Sequence, residues 1–85
     1  MPTILRKGPY RFFFFSREPN EPPHIHAERD DCYAKFWVNP VALTRNRGFK
    51  SHELTELRTI VEENARLFEE RWHEDLRDQG GAVRG

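Results

Sequence analysis

Four consecutive phenylalanines, Phe12 to Phe15, constrain the fold of this chain more than any other feature. The stretch Tyr10 to Ser16 is aromatic and apolar and suits a strand. In an extended segment successive side chains point to opposite faces. Phe12 and Phe14 then point one way and Phe13 and Phe15 the other, so both faces of their sheet need shelter from water. The chain has 85 residues, which suits a single domain. A domain of this size buries only about 60% of its unfolded surface. With 33% charged residues and a mean hydropathy of -0.88, apolar cover is scarce.

The clearest source of cover is helical. Leu54, Leu57, Val61, Ala65, Phe68, Trp72 and Leu76 recur at helical spacing. Ile60 and Leu67 widen that stripe. Ser51 is the expected N-cap, with Glu53 in the first turn, where the helix dipole favours a carboxylate. Leu54 occupies the place a capping box needs for Glu or Gln, so no box is expected. Gly80-Gly81 is expected to stop the helix, leaving 77–85 as a disordered tail after a single domain over 1–76.

Before the helix the chain reads as short strands. Gly8-Pro9 punctuates the start of Tyr10–Ser16, and Glu18 to Pro23 is a loop. His24 to Glu28 is a second strand and Asp30-Asp31 lies in a turn. Tyr33 to Asn39 is a third strand, with Ala34, Phe36 and Val38 on one face and Tyr33, Lys35 and Trp37 on the other. Pro40 interrupts the ladder. Val41 to Leu43 is a fourth, shorter strand, and Arg45-Asn46-Arg47-Gly48 a turn. The predicted fold is α+β: a small antiparallel sheet of three to four strands packed on one long C-terminal helix.

One helix covers one face. Loops and the chain ends are one source of cover for the other; a partner is the second and the favoured one. Phe13, Phe15 and Trp37 are therefore the expected partner interface, buried by a copy of this chain or by a cognate small protein. A shift of register would exchange Phe12 and Phe14 for Phe13 and Phe15.

Charge and cysteine content exclude little but orient the reading. Formal net charge is zero, so bulk charge gives no argument for nucleic acid, although a local basic patch remains open. The single cysteine, Cys32, forms no internal disulfide and fits a reducing cytosol. Its only sequence-adjacent basic neighbour is Arg29, which is poor support for a nucleophile. Residues 1–10 show no apolar run of signal-peptide or membrane-span length, so a cytoplasmic protein is expected.

The segment Glu21-Pro22-Pro23-His24-Ile25-His26-Ala27-Glu28 carries the chemistry. Extended, it sets His24, His26 and Glu28 on one face and Ile25 and Ala27 on the other. Imidazoles suit acid/base transfer at neutral pH, as in phosphodiester cleavage. They also suit a divalent transition metal, with Glu28 as third ligand, or a phosphate or carboxylate held without chemistry. A plain surface strand hydrogen-bonded to its turn is the remaining reading. Arg11, Lys35, Arg45, Asn46 and Arg47 are the candidate nucleic-acid contacts, with bases stacking on nearby aromatics. Asn64, inside the apolar stripe, is expected to bond neighbouring backbone. His73, at the edge of the stripe, is expected to cap or pack.

The motifs resemble a known family along most of the chain. Met1-Pro2-Thr3-Ile4, Tyr10-Arg11-Phe12-Phe13-Phe14, Glu21 to His26 and Ala34-Lys35-Phe36-Trp37 resemble the bacterial family called domain of unknown function 4160. So do Pro40-Val41-x-Leu43-x-x-Asn46-x-Gly48-Phe49 and Glu62-Glu63-Asn64 with Trp72. The similarity runs from Pro2 to about Leu76. Within it, His24, His26, Lys35, Trp37, Asn46 and Asn64 fall on the family motif. The resemblance implies a small protein encoded beside one of the domain of unknown function 2442 type, in a pair that looks like a toxin–antitoxin module. By that analogy this chain is the toxin-like member. The leading expectation is a metal-independent endoribonuclease with His24 and His26 as its catalytic pair and no cofactor. The alternatives are a non-catalytic antitoxin or regulator that binds nucleic acid, and a small metal-binding protein.

Overall fold

The structure is a computed structural model that describes residues 3–14 and 21–84, with side chains described as far as 74. It is an α+β fold. Five strands, β1 (Thr3–Lys7), β2 (Tyr10–Phe13), β3 (His24–Arg29), β4 (Cys32–Val38) and β5 (Val41–Arg47), form one antiparallel sheet in sequential order. Two helices follow, α1 (Ser51–Glu63) and α2 (Ala65–Arg84).

The alternation in β2, β3 and β4 sets the core. Phe12, Ile25, Ala27, Ala34, Phe36 and Val38 face the helices, where Phe14, Phe49, Leu57, Ile60, Val61, Phe68 and Trp72 close over them. Phe12 stacks on Phe68 at 5.7 Å between centroids, and Phe14 meets Trp72 edge-on at 5.4 Å. Helix α1 lies against β4 and β5, and α2 against β3 and β4.

Several expectations need correction. The sheet has five strands because β1 pairs with β2, with Thr3 opposite Phe13 and Lys7 opposite Tyr10. Strand β5 continues through Arg45-Asn46-Arg47, which was expected to turn; cross-strand pairing with Tyr33, Ala34 and Lys35 overrides the turn chemistry. The turn comes at Gly48, whose φ of +93° favours glycine. An added Cβ there would also stand 3.0 Å from Cys32 Sγ.

The single long helix is two. Asn64 separates them with φ -118° and ψ 14°. Its Nδ2 donates to Ile60 O at 2.8 Å, the local bond expected of it, and that bond competes with a regular helix. Phe68 N–H still donates to Asn64 O at 3.0 Å, so the apolar stripe carries across the break. The N-cap is Lys50 instead of Ser51, and Glu53 accepts the Lys50 N–H at 2.9 Å, the half of a capping box not foreseen. Helix α2 continues through Gly80-Gly81 to Arg84, past both the expected stop and the tail expected from 77. Each glycine costs a helix only about 1 kcal/mol, which is a bias against continuation and no barrier to it.

Candidate functional site

The face of the sheet away from the helices is built from alternate residues of β2, β3 and β4. Register places Phe13 opposite His26, and His26 opposite Lys35. His24 stands opposite Trp37, and Glu28 opposite both Arg11 and Tyr33. The alternation that sends Ile25 and Ala27 into the core therefore gathers His24 and His26 with Tyr33, Lys35 and Trp37.

The two imidazoles are more enclosed than a surface strand would make them. His24 is 0% exposed and His26 1%, which corrects the surface-strand expectation. The His26 ring lies between Phe13 and Tyr33, at 5.5 and 5.7 Å from their centroids and nearly parallel to both. Its Nδ1 is 2.7 Å from Tyr33 Oη. The His24 ring meets His26 edge-on at 5.0 Å and packs on Trp37 at 5.8 Å and Trp72 at 4.6 Å.

The proline pair explains how His24 is oriented. Proline has no N–H to satisfy, yet its carbonyl still accepts. Pro22 O lies 3.0 Å from His24 Nδ1, and Pro23 O accepts the Val38 N–H at 3.2 Å. A carbonyl only accepts, so Nδ1 is the nitrogen of His24 that carries hydrogen.

Charged groups ring this pair. Lys35 Nζ donates to Glu21 Oε1 at 2.7 Å and sits 5.0 Å from the Trp37 ring centroid. The same Glu21 oxygen is 3.6 Å from His24 Nδ1. The Lys35 hydrogen bond is the main reason that Glu21 ionises below the usual carboxylate range. Arg11 bonds Glu28 at 2.9 Å and Thr3 at 3.1 Å, and lies 4.3 Å over the Phe13 ring. Glu28 thus belongs to Arg11 and not to a His24–His26–Glu28 ligand set. Among the described residues no three His, Cys, Asp or Glu side chains come together as a metal cluster.

The other candidates fall into two groups. Arg45 and Arg47 are exposed on the outer face of β5, with Arg47 5.8 Å from the Tyr33 centroid. Asn46 is a structural clasp: its Oδ1 accepts the Phe49 N–H and its Nδ2 donates to Phe49 O, both at 3.1 Å. Those two bonds tie the side chain of Asn46, itself exposed, to the turn that follows β5. Phe13 is 3% exposed, which corrects the expectation that it forms an open aromatic surface; Trp37 is half-buried. Phe15 lies outside the described residues. Sequence reading missed Tyr33 as a site residue. Its place on the His26 side of β4 was legible from alternation, but the diagonal contact across strands depends on the register.

A family model described as domain of unknown function (DUF4160) matches residues 10–73. No curated protein and no solved structure matches the chain. Among the described residues no helix is long and apolar enough to cross a membrane.

Proposed function

The chain belongs to the family described as domain of unknown function (DUF4160), and we propose that it is the toxin-like member of a two-protein module, cleaving RNA on the outer face of its sheet. Its partner on this reading is a small protein of the domain of unknown function 2442 type, and the setting is the cytoplasm. One observation carries the proposal: His24, His26 and Tyr33 form a contiguous row, with the Nδ1–Oη distance at 2.7 Å and the imidazole centroids 5.0 Å apart.

Cleavage by transesterification needs one group to take the 2′-hydroxyl proton and another to protonate the departing 5′-oxygen. His26 with Tyr33 suits the first role. His24, whose Nδ1 lies 3.6 Å from the Glu21 carboxylate, suits the second. Tyr33 and Trp37 are half-buried, so they are the aromatic members of the row that meet solvent. Arg45 and Arg47 supply exposed cations for phosphate oxygens.

The burial of both imidazoles favours a second reading, a non-catalytic regulator whose histidines brace an RNA-binding face. Purified wild type, His24→Ala, His26→Ala and Tyr33→Phe, each checked for folding, are compared on a mixed RNA substrate. Catalysis predicts a loss of roughly 10²–10⁴-fold for either histidine variant, with a pH profile set by imidazole. RNA that is bound but left intact by wild type would establish the regulator instead. Neither binding nor cleavage, and no growth arrest on induction without the partner, would remove both readings.

A further inference from the structure

Strand β5 is an edge, because the sheet order ends with it. An antiparallel edge strand presents unpaired backbone N–H and C=O groups along its open side. Arg58 Nη2 reaches Val41 O at 3.4 Å; among the described residues no other side chain bonds the β5 backbone. The strand bulges at Thr44, since Lys35 pairs with Arg45 while the adjacent Phe36 pairs with Leu43. That bulge divides the edge into an apolar half, Val41 to Leu43, and a basic half, Arg45 to Arg47. Leu43 is 40% exposed.

Charge selects what such an edge accepts. Arg11 is paired with Glu28 and Lys35 with Glu21, whereas among the described residues neither Arg45 nor Arg47 is in an ion pair. The strand carries no acidic residue. A second copy added antiparallel along β5 would set Arg45 and Arg47 against Leu43 and Val41 and bring a carboxylate to neither. The opposite edge, β1, ends in Arg6-Lys7 and is no better matched. Neither edge of this chain therefore supplies the carboxylates that Arg45 and Arg47 lack.

We infer that the β5 edge takes an extended acidic segment of a different protein as a sixth strand, with its carboxylates beside Arg45 and Arg47 and an apolar residue near Leu43. Backbone pairing supplies adhesion and the arginines select charge. The inference is independent of whether the outer face cleaves RNA.

The test uses the full chain and three eight-residue synthetic probes: alternating valine and glutamate, alternating valine and lysine, and the acidic probe N-methylated at alternate residues. Fluorescence anisotropy gives affinity, and amide exchange locates the contact. The acidic probe should bind about tenfold more tightly than the basic one, the scale of two exposed cross-strand ion pairs. R45E/R47E should invert that preference. N-methylation should weaken binding by a similar factor, and new amide protection should fall on 43–47. Equal affinity for both charges, retained binding of the N-methylated probe, or protection on β1 instead of β5 would each overturn the inference.

Discussion

Phe12 and Phe13 are neighbours in one strand, and their exposures, 0% and 3%, are nearly the same. What encloses them differs. Phe12 is held by hydrocarbon, stacked on Phe68 within a continuous apolar cluster. Phe13 is held by a histidine ring and a guanidinium. The inner face excludes water with interchangeable apolar volume. The outer face excludes it with groups that each need a particular hydrogen-bond or charge partner. Depth of burial alone would not separate the two, yet polar enclosure is the costlier construction, and that makes the outer face the place to look for function.

The largest expected effect lies on the inner face. Phe68→Ala removes a side chain that is 0% exposed and should cost about 3–5 kcal/mol, enough to unfold much of so small a domain. Urea denaturation checks it. The direct comparison is Phe12→Ala against Phe13→Ala. Both should destabilise, but the outer cavity borders polar groups and admits water more readily. Phe13→Ala is therefore expected near ~3 kcal/mol, at the lower end of the range for Phe→Ala. Equal losses in the two variants would mean that the outer face packs as a second dry core, and the distinction drawn between the faces would fail.

Those faces were readable in the sequence where alternation was regular. The inward set Ala34, Phe36 and Val38 and the shared face of His24, His26 and Glu28 follow from a period of two. Strand β1 was hidden because its apolar residues, Ile4 and Leu5, are adjacent, and the register shifts between Thr3 and Leu5. Strand β5 was cut short because Arg-Asn-Arg-Gly has turn chemistry, and only pairing with β4 holds it extended. The helix break at Asn64 was hidden for the opposite reason: the apolar stripe runs through it. At the site, alternation placed the histidines on one face but carried no information about their cover. Their burial, and the Tyr33 contact, depend on how residues distant in sequence close over the face.

A smaller effect tests whether the polar contact on the outer face is energetic or incidental. His26→Leu and Tyr33→Phe each remove one end of the Nδ1–Oη contact. Singly, each should cost about 1 kcal/mol or somewhat more, because a partner is lost from an enclosed polar group. Together they should cost less than the sum, with a coupling of about 1 kcal/mol in the double-mutant cycle. Strict additivity would show that the contact adds no stability. On the proposed mechanism, RNA cleavage by the double variant should be lost in either case, since the pair that takes the 2′-hydroxyl proton is gone and His24 alone remains.

The smallest effects are those of pH, and they again set the two sides of the sheet against each other. On the outer side, the hydrogen bond from Lys35 holds Glu21 below the usual carboxylate range. On the inner side, the Lys50 N–H, and then Arg29, hold Glu53 below it. A carboxylate with a lowered folded-state pKa contributes stability above its unfolded pKa of about 4.3, and that contribution is lost as pH falls through the folded value. Tyr10 runs the other way. Burial, and then its hydrogen bond to Glu56, push the phenol up to about 12. Its contribution is complete below about pH 10 and is lost as pH rises through the folded value. Melting temperature against pH should therefore fall at both ends, and Tyr10→Phe should flatten the alkaline limb alone. Glu21→Gln and Glu53→Gln should each soften the acid limb. Glu53→Gln should also lower the melting temperature at neutral pH, because the cap and the Arg29 ion pair weaken together. An acid limb untouched by Glu21→Gln would mean that Lys35 is held by its place over Trp37 rather than by charge, and the outer face would then owe less to electrostatics than its composition suggests.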